Sequence, residues 1–304
     1  MNIFVRKVIG FLLPVFGFIV LAILLPATPR ATKSLLFSSI KKDSLLKYTK
    51  SPRIIFVGGS NLSFGLNSQL IKDSLRKNPI NTAIHASLTL KFMLDNSIKF
   101  VKKGDVVVLV PEYSHFYSDY DRGSEELLRI IFDVNLSKIS LLSSKQLFNI
   151  IPYMPKLAIT KLKPSEYLNI IDSKVYSVNS FNDYGDTFSH WGMKRENFKS
   201  KAVKGEYNTV VLENIKAYAL EIEKKGAQLF VSFPGYQDVS FMKSINSIHR
   251  VEMEYRKNDF IVLGTAERYK IPDAMMFNTP YHLNKDGVDY RTQLLIEDLK
   301  KVLQ

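Results

Sequence analysis

Between Ile54 and Val110 the chain alternates short unbroken apolar runs with helix-period segments, and few folds accept that order. Ile54, Ile55, Phe56 and Val57 form the first run, which ends on Gly58 and Gly59. Four apolar residues in a row with no polar alternation suit a strand covered on both faces, and paired glycines suit the tight turn after it. A helical stretch is expected around residues 67–76, a second strand over 79–84 and a helix over 88–102. That helix would carry Leu90, Met93, Leu94, Ile98 and Val101 on one stripe. Residues 105–110 (DVVVLV) read as a third strand. Strand–helix–strand–helix–strand in about 60 residues demands crossover connections and so a parallel sheet. The pattern resumes with a helix over 207–225, strands over 227–233 and 260–263, and a closing helix over 285–303.

Two other segments stand outside this alternation. Val8 to Pro26 is 19 residues without a charge, long enough at 1.5 Å per residue to cross a hydrocarbon core of ~30 Å. A cleaved signal sequence usually has a shorter apolar region and a small-residue cleavage site, which Pro29 and Arg30 spoil here. Residues 1–30 therefore read as an uncleaved membrane anchor. Residues 31–50 read as a basic amphipathic connector packed on the domain. The domain itself spans 31–304, and its stretch 116–205, rich in Ser, Asn, Tyr and Lys, breaks the alternation and reads as an insertion or lid over the strand ends. Arg6 and Lys7 precede the span, while Arg30, Lys33, Lys41 and Lys42 follow it. Flanking charge alone would keep the domain in the cytoplasm, but long domains cross membranes largely regardless of it.

Composition narrows the partners. A hydrophobic content of 46% and a charged content of 23% are those of a folded chain. The absence of cysteine removes disulfides, cysteine-ligated zinc and a thiol nucleophile. A net charge of +13 reads either as a basic solvated surface or as attraction to an anionic glycan or an anionic lipid surface. No nucleic-acid motif accompanies the charge, so nucleic acid is not expected.

Ligands of an open parallel sheet bind beyond the carboxyl ends of its strands, so the residues after each run carry the chemical interest. Gly58-Gly59-Ser60-Asn61 follow the first run. Ser60 sits at a glycine turn before a helix, where unpaired N–H groups can stabilise negative charge beside a serine nucleophile. Ser60 and Asn61 would equally serve as a helix cap, and the turn is also compatible with a phosphate site. His282, in a loop ahead of the closing helix, could supply the general base that a serine needs. His85 follows the second strand, where it could face the same site. His115 and His190 read as surface or lid residues. Asp183 and Asp186 flank Gly185 in a turn that matches no standard metal spacing, and no metal is expected. Trp191, Phe181, Tyr184 and Phe188 read as aromatic packing within the insertion, with a sugar-stacking surface as the alternative.

The block IIFVGGSNLSFG (54–65) and the block YHLNKDGVDYRTQLLIEDL (281–299) together resemble the first and last blocks of the SGNH (GDSL-like) hydrolase and acyltransferase superfamily. Residues 85–116 resemble the middle of a bacterial branch of it. The resemblance implies a three-layer α/β sandwich with a mainly parallel sheet, flavodoxin-like in the SGNH manner, behind the transmembrane helix. It implies Ser60 as nucleophile, His282 as its base, no cofactor and a domain on the external face. The reaction would be hydrolysis or transfer of an acyl ester on a cell-envelope glycan or lipid-linked sugar. Three positions depart from the pattern. Ser87 stands nearest the glycine whose N–H serves the oxyanion. Glu112, in PEY, replaces the G-x-N asparagine. Asn278 and Thr279 stand where an aspartate would orient the histidine, and an amide there can impose the wrong imidazole tautomer. These departures leave open a non-catalytic relative that binds a glycan or partner protein at the membrane.

Overall fold

The computed structural model describes residues 2–117 and 119–303. Four strands form one parallel sheet: β1 Arg53–Gly58, β2 Asn78–Asn81, β3 Val106–Val110 and β4 Gln228–Val231, in the order β2-β1-β3-β4. Every side chain of β1 and β3 is buried, as their unbroken apolar runs require. The helices that connect and cover the strands are α3 Ser68–Leu75, α4 Leu90–Ile98, α6 Thr209–Lys224, α7 Ile245–Lys257 and α8 Lys285–Val302. Ahead of them run α1 Ile3–Leu24 and α2 Ser38–Tyr48, and α5 Met154–Lys161 lies in the central stretch. The predicted strand at 260–263 shrinks to a single parallel bridge from Val231 to Val262, flanked by Val231 N–H to Ile261 O and Leu263 N–H to Val231 O. Gly264, at φ 68°, turns the chain away before a second pair can form.

The connector packs on the domain as expected, through Leu36 and Leu46, but it also buries Lys42. The Lys42 ammonium donates to the carbonyls of Asn81, Ala83 and Gly185 and lies over the Phe181 ring. Burial lowers its pKa to about 7, against the pull of nearby Asp186. Asp186 in turn accepts from Ser68 N–H, Ser68 Oγ, Asn81 Nδ2 and Asn182 Nδ2. The 182–186 turn is thus a fastener between β2, α3 and the connector. Asp183 points outward to Lys41 at 3.0 Å. Gly185 makes the fastener possible: its φ is 92°, and a Cβ there would meet Asn81 O at 2.3 Å. Gly185→Ala is expected to destabilise the protein by ~2 kcal/mol, read as a lower denaturant midpoint at unchanged slope.

The central stretch holds short helices, and two prolines, Pro152 and Pro155, divide residues 144–161 into Ser144–Ile150, Ile151–Tyr153 and α5. The aromatic group of the sequence reading disperses. Trp191 packs against a small cluster of Ile271, Met276, Leu283 and Val288, while Phe181 lies beneath Lys42.

Candidate active site

The strand order reverses at β1, whose neighbours are β2 on one side and β3 on the other. A crevice therefore opens beyond the carboxyl ends of β1 and β3, the usual ligand position in an open parallel sheet. Gly58 pairs with Val110 at these ends. The glycines let the ends close on each other: a Cβ at Gly58 would sit 2.4 Å from Val110 O, and one at Gly59 would sit 2.7 Å from Glu112 Oε1. A cavity of about 750 Å³ opens here. Ser60, His85, Glu112, Tyr236, Tyr281 and His282 line it, with Lys201, Lys204 and Lys243 at its wall.

Ser60 opens a single helical turn, Ser60–Ser63. Its Oγ donates to Glu112 Oε1 at 3.1 Å rather than to His282. The same carboxyl oxygen accepts the Asn61 N–H at 3.1 Å. Glu112 thus occupies an N–H of the turn that an oxyanion could use. Burial pushes its pKa up to about 7, and the N–H of Asn61 and the hydroxyls of Ser60 and Ser114 hold it from rising further. Asn61 acts as a strut, its Nδ2 donating to Val110 O at 3.1 Å.

His282 sits on a short strand, His282–Leu283, paired antiparallel with Met276–Thr279. Its ring stacks on Phe64 at 4.0 Å and 10°. Asn278 Oδ1 lies 2.9 Å from His282 Nδ1. On its other side, Asn278 Nδ2 faces Tyr176 Oη at 2.8 Å and Glu196 Oε2 at 3.4 Å. An ionised Glu196 can only accept, so the amide is held with its NH₂ toward Glu196 and its oxygen toward the imidazole. The amide therefore selects the tautomer protonated on Nδ1, and Nε2 is left as the acceptor. Tyr176 and Glu196 thus hold the Asn278 amide with its oxygen toward His282. An amide oxygen still lacks the negative charge with which a carboxylate would stabilise the imidazolium. Burial, then the proximity of His190 and His85, lowers the His282 pKa to about 3.

Ser87 does not play the part expected of it. Its N–H donates to His85 Nδ1 at 3.1 Å, and its carbonyl accepts from Ser124 Oγ at 3.0 Å. The bond fixes His85 as the tautomer protonated on Nε2. Burial lowers the His85 pKa, against the opposing charge of Glu126, so the ring is neutral. His115 and His190 are buried rather than superficial. His115 Nδ1 accepts the Glu112 N–H at 3.0 Å and its Nε2 donates to Ala86 O at 3.2 Å, which ties the end of β3 to the 85–87 turn. His190 Nε2 donates to Leu283 O at 3.0 Å and its ring backs Phe64.

The structure brings Ser60, Glu112 and His282 to one cavity, adds His85, and places Asn61 and Asn278 behind them. Tyr176 and Glu196 come from the central stretch, some 80–100 residues from Asn278, and no local periodicity marks them. Among the described residues no group of three or more His, Asp or Glu side chains is placed to hold a metal ion. No family model matches the chain, and a search of the curated proteins finds no match.

Proposed function

We propose that the chain is an SGNH-like serine esterase or O-acyltransferase that cleaves or transfers an acyl ester of a cell-envelope glycan or lipid-linked sugar. The observation that carries this reading is Ser60 Oγ in a cavity of about 750 Å³, hydrogen-bonded to a carboxyl group whose pKa lies near 7. A base poised near neutrality is the right partner for a serine hydroxyl. The strand order β2-β1-β3-β4, with Val262 beginning a fifth position beside β4, supports the flavodoxin-like three-layer arrangement. The 22-residue helix α1, about 33 Å long, supports the anchor through residues 8–26, and the external placement of the domain follows from the resemblance alone.

In this reading Ser60 Oγ attacks the ester carbonyl and its proton passes to ionised Glu112. The carbonyl electrons move to the oxyanion, and His85 Nε2–H, on the same cavity wall, donates to it. Collapse of the intermediate breaks the ester C–O bond. The departing alkoxide takes the proton back from Glu112, leaving an acyl group on Ser60. His282 Nε2 then accepts the proton of the incoming hydroxyl, from water or a sugar, as that hydroxyl attacks the acyl carbon. Ser60 departs as the acyl C–O bond breaks and takes that proton back from His282, which returns to the neutral imidazole. The three lysines at the cavity wall suit an anionic substrate.

A second reading draws on a specific contact. Because Glu112 fills the Asn61 N–H beside Ser60, the cavity could serve a non-catalytic glycan- or partner-binding protein. A fluorophosphonate probe applied to the full chain in detergent separates the two. The enzyme reading expects covalent labelling of the wild type that rises with pH through about 7 and is absent in Ser60→Ala. Folded wild type that stays unlabelled at pH 8 removes the enzyme reading and leaves the binding one.

A further inference from the structure

Helix α5 packs along α1 inside the length that would lie in lipid. Ala22 and Ile23 share one apolar cluster with Leu157 and Ala158, and Ile19 and Met154 pack against it. Ile19 lies seven residues inside the end of the uncharged run at Pro26. At 1.5 Å per residue that is about 10 Å below its end. The cluster that α5 shares with Ala22 and Ile23, and against which Ile19 packs, therefore reaches below the end of the uncharged run. Three of the side chains that α5 and its flanking residues leave outward are large and apolar, Ile151, Ile159 and Leu162 at 48%, 58% and 47% exposed, while the exposed Lys156 reaches to Glu125.

The polar contacts hold the pair in this register. Lys161, buried, donates to Ile23 O and Leu25 O, both at 2.7 Å, and to Phe132 O at 3.1 Å, and it pairs with Asp133 at 3.0 Å. It thereby satisfies carbonyls at the end of α1, which would otherwise be orphaned at the edge of the hydrocarbon. Further along, Arg30 Nη2 donates to Ser165 O at 2.9 Å, Thr28 Oγ1 donates to Glu166 at 3.0 Å, and Lys33 meets Asp172 at 2.8 Å. Residues 161–172 thus run beside residues 23–33 as the chain leaves the span.

We infer that Ile151–Leu162 is a second membrane-contacting element, seated in the interfacial layer beside α1 and clasped to it by Lys161. The occupant of its outward apolar face is the lipid bilayer. The inference rests on the reading of α1 as a membrane anchor. Its consequence is that the domain is held at a fixed height and tilt, where a lone helix on a linker would leave it free to swing.

The chain has no cysteine, so a single introduced cysteine takes a nitroxide label uniquely. The full chain is reconstituted in phosphatidylcholine–phosphatidylglycerol nanodiscs as Leu13→Cys, Ile151→Cys, Ile159→Cys, Leu220→Cys and Met253→Cys, all exposed positions. Collisional accessibility to oxygen and to a water-soluble nickel complex reads depth. Ile151→Cys and Ile159→Cys are expected to show an oxygen-to-nickel ratio several-fold above those of Leu220→Cys and Met253→Cys, on α6 and α7. If Leu13→Cys reads as lipid-buried while Ile151→Cys and Ile159→Cys match the two α6 and α7 positions, the inference fails and the anchor stands. If Leu13→Cys is itself open to nickel, the anchor fails and takes the inference with it.

Discussion

Glu112→Gln is expected to slow fluorophosphonate labelling of Ser60 by ~10²–10⁴, the usual worth of a positioned general base. The substitution is nearly isosteric. A glutamine Oε1 still accepts the N–H of Asn61 and the hydroxyl of Ser60, which lie 3.1 Å from the glutamate oxygen, so the turn keeps its shape. What disappears is the capacity to take the proton. Wild-type labelling should rise between pH 6 and 8 as Glu112 ionises, since its pKa is near 7, and the variant should lose that rise. A glutamine variant labelled at the wild-type rate would return the proton to His282 and restore the simple Ser60–His282 pair.

The same substitution has a stability signature of defined sign. Glu112 has a folded pKa of about 7, raised from 4.5 by burial. Between those values the folded chain binds more protons than the unfolded one, so stability falls as pH rises through this window. The contribution is fully present below about 4.5 and gone above about 7. At 1.36 kcal/mol per unit, the loss approaches ~3 kcal/mol. Glu112→Gln carries no such proton, so its stability should exceed that of the wild type at pH 8 and converge on it near pH 4. Denaturant midpoints at the two pH values measure this directly. A wild type whose midpoint is no lower at pH 8 than at pH 5, relative to the variant, would show that the carboxyl group is not held protonated by burial.

The sheet was legible in the sequence because β1 and β3 are buried on both faces, and such strands must be written as unbroken apolar runs. The Phe260–Leu263 run is nearly as apolar, yet it makes one bridge, because pairing depends on where Gly264 turns the chain. Ser60, Glu112 and His282 were legible for a related reason: each follows a strand or precedes the last helix, and topology alone brings such positions together. Their hydrogen bonds were not legible. Whether Ser60 faces Glu112 or His282 is a matter of rotamer and of the close approach that Gly59 permits, and neither leaves a periodic trace. Ser87 illustrates the same gap. Its position beside the site follows from topology, but its N–H is consumed by a histidine two residues away. Lys42 and Lys161, each buried against backbone carbonyls, carry no local sequence mark that sets them apart from other lysines. Only their carbonyl partners, distant in sequence, distinguish them.

Asn278→Asp combined with Glu196→Gln is expected to raise turnover of p-nitrophenyl acetate by ~10- to 100-fold, a fraction of what a carboxylate–histidine pair is worth in serine hydrolases. The limiting property of His282 is its reluctance to become charged, visible in a pKa lowered to about 3 by burial. A carboxylate against Nδ1 favours the imidazolium and should lift that pKa toward the ordinary histidine range. The single change would not suffice. Asn278 Nδ2 lies 3.4 Å from Glu196 Oε2, and an aspartate there would set two carboxylates against each other. Glutamine at 196 removes the charge and offers an NH₂ in return, while the Tyr176 hydroxyl, 2.8 Å from the amide, can turn to donate. The order expected is therefore wild type, then Asn278→Asp, then the double variant, both in turnover and in the His282 titration followed by NMR. Turnover that rises while the His282 titration stays put would place the gain elsewhere. A titration that rises without turnover would show that the incoming hydroxyl surrenders its proton to another group, and Glu112 would then serve both halves of the reaction.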